Sequence, residues 1–166
     1  SRSIRTAGNA FDDAIVSHIR NSHNLLIGQA SAEKMKIEAG TAIARANGKV
    51  VDIHIKGRDL KKGIPSQITL GPSDIADALA DPLSRIADAV KLALEQIEPE
   101  LAADIYDDGI YVTGGGALLD KIETKLSRDT GVKFITPEDP LRCVAIGTGR
   151  ALEELAEYKD LMAHVQ

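Results

Sequence analysis

The apolar positions change period several times along the chain. Phe11, Ile15 and Ile19 recur every four residues with Asp12, Asp13 and Arg20 on other faces, which predicts an amphipathic helix that Asn9 can cap. Ahead of it, residues 3–8 read as the tail of a strand running into a turn at Gly8-Asn9. A second helix is expected from Ser31, a good N-cap, through Ala32-Glu33-Lys34-Met35-Lys36-Ile37-Glu38 to Gly40, which suits the left-handed position closing a helix. Val51, Ile53 and Ile55 then alternate with Asp52, His54 and Lys56. Ile64, Ser66, Ile68 and Leu70 repeat the alternation, so two strands joined across residues 57–63 form a small antiparallel sheet.

After Gly71-Pro72 the helical period returns at Ile75, Leu79, Leu83, Ile86, Val90, Leu94 and Ile97, with Ser73 as its cap. Asp81-Pro82 reads as a break and a new start: a short helix, then a long one from Pro82 to about Gln96, with a lobe boundary between them. The last third alternates strand and helix. A strand at 109–113 leads through a glycine turn to a helix from Ala117 to Arg128, closed by Gly131. A strand at 132–135 and a final helix opened by Asp139-Pro140, running through Cys143, Ala151 and Leu155, complete it. That order predicts parallel pairing with a right-handed crossover.

Composition excludes several classes of function. Apolar residues make up 43% of the 166 and charged residues 27%, the balance of a globular domain. No apolar run approaches the roughly 20 residues of a membrane span, so a cytoplasmic protein is expected. A net charge of -5 without a basic cluster, and only five Phe and Tyr with no Trp, argue against nucleic acid as a partner. Cys143 stands alone, which rules out an internal disulfide and reads as a small buried apolar residue. The four histidines are scattered without metal-ligand spacing, so no metal site is expected, and Asp104, Asp107 and Asp108 read as an acidic turn.

The chemistry concentrates at Thr113-Gly114-Gly115-Gly116-Ala117, between a strand and a helix. Glycines let the backbone approach a ligand, and a following helix would aim its free N–H groups and positive dipole end at an anion such as a nucleotide phosphate. It matches neither the P-loop spacing nor GxGxxG. Tight strand-to-helix packing would explain the same glycines without any ligand.

The run Thr113–Leu119, followed by Glu138-Asp139-Pro140-Leu141, Cys143-Val144-Ala145 and Gly147-Thr148-Gly149, resembles the carboxy-terminal signature of the MreB/Mbl bacterial actins. Residues 3–9, Leu26-Ile27-Gly28-Gln29, Ala32–Glu38 and Gly57-Arg58-Asp59-Leu60 resemble the same family in the same order, so the likeness extends to about Leu155. It implies an α/β fold, the second large domain of an actin-like ATPase. An incomplete RNase H-like inner lobe would use residues 1–7 and 81–166, and an inserted α+β outer lobe would use about 8–80. It also implies that Gly114, Gly115, Gly116 and Ala117 line the adenosine side of ATP or ADP, with Glu33, Lys34 and Lys36 on the opposite wall. Glu33 can accept hydrogen bonds from ribose hydroxyls. Charged residues one helical turn apart are also commonly paired locally, as Lys34 and Glu38 would be.

In that family the phosphates and Mg²⁺ are held mainly by segments outside this stretch, so no ATP hydrolysis is expected from this chain alone. The parent protein would self-associate into filaments that govern cell shape. Loss of the preceding strands would leave an open sheet edge, and a dimer of the fragment is expected from that edge. No lipid contact is expected from this half. Competing readings are half of a chaperone-like or sugar-kinase-like ATPase, or a short regulator that binds intact filament subunits.

Overall fold

The four-residue period of Phe11, Ile15 and Ile19 becomes helix α1 (Gly8–His23), with all three side chains buried. The computed structural model describes residues 3–4, 8–43 and 53–153. In it α1 opens at Gly8, so Asn9 sits inside the first turn and neither caps the helix nor forms a turn with Gly8. A short strand β1 (Leu25–Leu26) leads to α2 (Gln29–Ala39). The backbone N–H groups of Ser31 and Ala32 donate to the Gly28 carbonyl, so the cap position is Gly28 and Ser31 lies within the helix.

β2 (Ile53–Asp59) and β3 (Pro65–Leu70) form the expected antiparallel hairpin, with Ile53 opposite Leu70 and Ile55 opposite Ile68. Val51 lies outside the described residues. Residues 57–59 belong to the strand rather than the connection, because β1 pairs there, Leu25 opposite Asp59 and Leu26 opposite Arg58. The result is a three-stranded sheet in the order β1-β2-β3. The Asp59 carboxylate closes the turn by accepting from the N–H groups of Lys62 and Lys61 at 2.9 and 2.8 Å. Those bonds, Lys62 first, hold its carboxyl below the ordinary carboxylate value.

The break expected at Pro82 is absent: α3 runs without interruption from Pro72 to Leu94. A proline inside a helix removes one hydrogen bond and costs about 3 kcal/mol. Here Ile75, Leu79 and Leu83 form one fully buried row across the proline, and Pro82 itself is buried. Burying side chains of that size contributes about 1.5–3 kcal/mol each, which exceeds the cost of the proline. Ser73 is not the cap either. Gly71 precedes the helix, Pro72 is its first residue, and the Asp74 carboxylate accepts from the Gly71 N–H at 2.9 Å.

The carboxy-terminal third departs most from expectation. Residues 99–108 form a helix, α4 (Pro99–Asp108), so Asp104, Asp107 and Asp108 lie on an exposed helix rather than in a turn. β4 (Ile110–Tyr111) and β5 (Phe134–Ile135) pair in parallel, as expected, but are shorter. Between them stand a 3₁₀ turn (Gly115–Leu118) and α5 (Ile122–Thr130), closed by left-handed Gly131. The final helix α6 (Cys143–Glu153) starts after a turn in which the Asp139 side chain accepts from Arg142 N–H. Leu155 lies outside the described residues, and Cys143 is half-buried rather than buried.

One hydrophobic cluster runs through these elements, from Phe11, Ile15 and Ile19 through Met35, Leu70, Leu79 and Leu83 to Leu119, Ile122, Leu126 and Phe134. Outside it, Tyr106, Tyr111, Leu118, Leu141, Val144 and Leu152 are exposed, each by more than 60%. α4 and α6 bury no residue. No described helix is long and apolar enough to cross a membrane.

Candidate functional site

Gly114 has φ +82° and ψ -178°, a conformation open in practice only to glycine. Its N–H donates to the Pro140 carbonyl at 2.7 Å, and its carbonyl accepts from Ala117 N–H at 3.1 Å. Gly115 and Gly116 are different. A Cβ at Gly115 would meet only Leu141 Cδ2 at 3.8 Å, and one at Gly116 only Phe11 Cε2 at 3.8 Å, both ordinary contacts. The protein's own packing therefore does not require glycine at 115 or 116.

The glycine turn does not feed an α-helix directly. It opens the four-residue 3₁₀ turn, which ends before Lys121 adopts a left-handed conformation (φ 63°) and α5 begins. A helix dipole aimed from residue 117 is thereby ruled out. What remains is the backbone of the turn, with open space around Gly114.

The other expected site residues lie on α2 and have three different surroundings. Glu33 is exposed. Lys34 is exposed and lies 3.7 Å from Glu38, one turn along. Lys36 is committed elsewhere. Its Nζ lies 2.7 Å from Asp12 Oδ1 and 3.0 Å from Oδ2, and donates to the Gly8 carbonyl at 3.3 Å. Asp12 is buried, and the Lys36 side chain is only 18% exposed. Lys36 is thus an internal tie between α2 and the first turn of α1.

The start of α1 touches both segments, because Phe11 packs under Gly116 while Gly8 and Asp12 hold Lys36. A second tie closes the same gap. Ala42 N–H donates to the Asp120 carbonyl at 2.8 Å, Asp120 N–H donates to the Gly40 carbonyl at 3.3 Å, and Thr41 Oγ1 donates to Asp120 Oδ2 at 3.2 Å. Gly40 is extended (φ -61°, ψ 122°), so the left-handed closure expected there is not used. Its lack of a side chain is a matter of space: a Cβ would stand 2.1 Å from the Lys36 carbonyl oxygen and 2.7 Å from Leu119 Cδ1. Gly40→Ala is expected to lower stability by about 1–3 kcal/mol, the range for overpacking, and to loosen α2 from the glycine turn. Denaturant unfolding checks this, and an unchanged midpoint would contradict the close approach.

In the sequence Asp12 and Phe11 have no role beyond the pattern of α1, and Thr41 and Asp120 are not singled out. Asp12 on a helix otherwise lined by Phe11, Ile15 and Ile19 reads as one more solvated charge until Lys36 is brought against it. The structure also brings together His18, His23 and Asp74, which sequence spacing had kept apart.

The architecture is that of an actin-like domain. Its backbone matches MreB5 of Spiroplasma citri bound to ADP with a TM-score of 0.86 and 36% identity, over 97% of this chain and 48% of that one. The same protein bound to AMPPNP matches at 35% identity and the same TM-score. A MamK double helical filament shares the fold at 19% identity and a TM-score of 0.64, over 83% of this chain and 42% of that one. The MreB/Mbl protein family model matches residues 1–160, and the chain belongs to that family. It is 45% identical over 153 residues to the cell shape-determining protein MreB of Escherichia coli K12, covering 92% of this chain and 44% of that protein. It is 40% identical to the cell shape-determining protein Mbl of Bacillus subtilis 168, covering 93% of this chain and 46% of that protein. The chain spans just under half the length of these curated relatives.

Proposed function

We propose that this chain forms the adenosine-facing half of a cytoplasmic, actin-like filament protein that governs cell shape. The observation that carries the reading is the pair Gly115 and Gly116, where glycine is not needed for packing, on a turn followed by Asp120, which is hydrogen-bonded to Gly40 and Ala42 at the end of α2. Backbone without side chains leaves room for a ligand to lie against the turn. Glu33, exposed on α2, is the residue suited to accept from ribose hydroxyls. Lys34 contributes at most a screened charge, and Lys36 acts by placing α2. The MreB5 structures with ADP and AMPPNP support this assignment.

In this reading the glycine turn and α2 offer an adenosine wall, and contacts to the γ-phosphate and its Mg²⁺ come from elsewhere in the longer proteins, of which the chain spans just under half. Phosphoryl transfer relies on positioning and charge stabilisation at that phosphate, so this chain binds nucleotide without hydrolysing it. Residues 8–80 correspond in this reading to the outer lobe, and residues 1–7 and 81–166 to the inner. The exposed apolar side chains of α6 and the short β4-β5 pair supply surface for self-association, in filaments or as a dimer of this chain.

Isothermal titration with ADP and with ATP tests the reading. Saturable binding is expected, weakened at least about tenfold by Gly115→Leu or Glu33→Ala, which removes roughly 1.4 kcal/mol, and unchanged by Lys34→Ala. Absence of binding in a chain that circular dichroism shows to be folded would overturn it.

A further inference from the structure

We propose that His18, His23 and Asp74 form a binding site for a divalent metal ion of the zinc class, joining the end of α1 to the start of α3. The three side chains each offer one ligand atom, and these atoms all lie within 4.8 Å of one another. The two imidazole rings stand with centroids 6.5 Å apart at 60°.

Two details separate this cluster from an ordinary ion pair. His23 Nε2 is buried and has no hydrogen-bond partner. It lies 3.5 Å from Asp74 Oδ1, long for a hydrogen bond. Two ligands on a tetrahedral zinc, with bonds of about 2.0–2.2 Å, stand roughly 3.3–3.5 Å apart. The observed separation fits two ligands sharing one ion, and the ligand atom of His18 lies within 4.8 Å of both.

The other Asp74 oxygen, Oδ2, accepts from the Gly71 N–H at 2.9 Å, which fixes the carboxylate and leaves Oδ1 toward His23. A ligating carboxylate held by a second hydrogen bond is the usual support for a metal ligand. His18 also lines a groove of about 480 Å³ between α1 and α3, where Asp13, Asp77 and Asp81 outnumber Arg85. A predominance of carboxylates there favours approach of a cation.

Two imidazoles and one carboxylate suit zinc and its neighbours better than magnesium or calcium, which take oxygen ligands. Three protein ligands leave a fourth position for water. Bound metal would pin the last two turns of α1 to the first turn of α3. The proposal is independent of the nucleotide reading.

The test is titration of the chelator-treated chain with ZnCl2 by calorimetry, alongside the His18→Ala and Asp74→Asn variants. One equivalent is expected to bind with a rise in melting temperature, and each variant to lose at least about tenfold in affinity, the scale by which even a supporting residue affects a metal site. CoCl2 should give the visible absorption of a four-coordinate ion. A readout that needs no variant is modification of histidines by diethyl pyrocarbonate, followed by mass spectrometry: zinc should protect His18 and His23 but not His54. No binding, affinity unchanged in both variants, or equal protection of all three histidines would each overturn the proposal.

Discussion

Asp12→Ala is expected to destabilise the chain by about 3 kcal/mol, the lower end of the range for breaking a buried ion pair. For a chain of this length that corresponds to a fall of roughly 6–12 °C in melting temperature. The lower end applies because Lys36 is 18% exposed and can recover some hydration. The cause is the ammonium left behind: with the carboxylate gone, Nζ keeps only the Gly8 carbonyl at 3.3 Å. On the proposed function the effect should extend to nucleotide binding, since α2 carries Glu33 and is placed against α1 by this contact. Replacing both partners with apolar residues, Asp12→Leu with Lys36→Met, should be markedly less harmful than Asp12→Ala, because no unpaired charge remains. Calorimetric melting of the single and double variants decides it; a loss below about 1 kcal/mol for Asp12→Ala would show the pair to be no stronger than a surface one.

Leu79→Ala should cost a similar amount, about 3 kcal/mol within the 2–5 kcal/mol range for large-to-small core changes. Leu79 is fully buried, three residues before Pro82, between Ile75 and Leu83 on the same face. It is also one of the side chains that keep α3 continuous across the proline. Truncation leaves a cavity beside the turn of helix that lacks a hydrogen bond at Pro82. Urea unfolding gives the number, and hydrogen exchange gives its location. Protection should fall most in residues 75–90. Protection lost evenly along the chain would mean that the buried row is not what holds the helix through Pro82.

Much of the fold was legible because the period of apolar residues is a local signal. α1, α2, the β2-β3 hairpin and the parallel β4-β5 pair all follow from spacing within a few turns or strand residues. Helix ends were harder. Asn9, Ser31 and Ser73 are all plausible caps, yet the observed starts at Gly8, after Gly28 and after Gly71 are set by where the chain enters from the neighbouring element. Of the candidate site, the glycine turn and Glu33 are proposals drawn from the family likeness, and the structure adds that Glu33 is exposed and that Gly114 has a positive φ. The role of Lys36 was not legible, because a lysine one turn from a glutamate looks the same whether it faces solvent or a buried aspartate.

By itself the sequence determined the order and type of most elements, the family, and the glycine turn, since each of these is written in residues close together along the chain. Only the tertiary structure decided that Pro82 would be carried inside a helix, because burial of residues on both sides outweighs the local preference. It likewise decided that Gly40 is needed for space, that Lys36 is bound to Asp12, and that His18 and His23 meet Asp74. Apart from the approach of Gly40 to Lys36, four residues back, each of those depends on a distance between groups far apart in sequence, which no local pattern specifies.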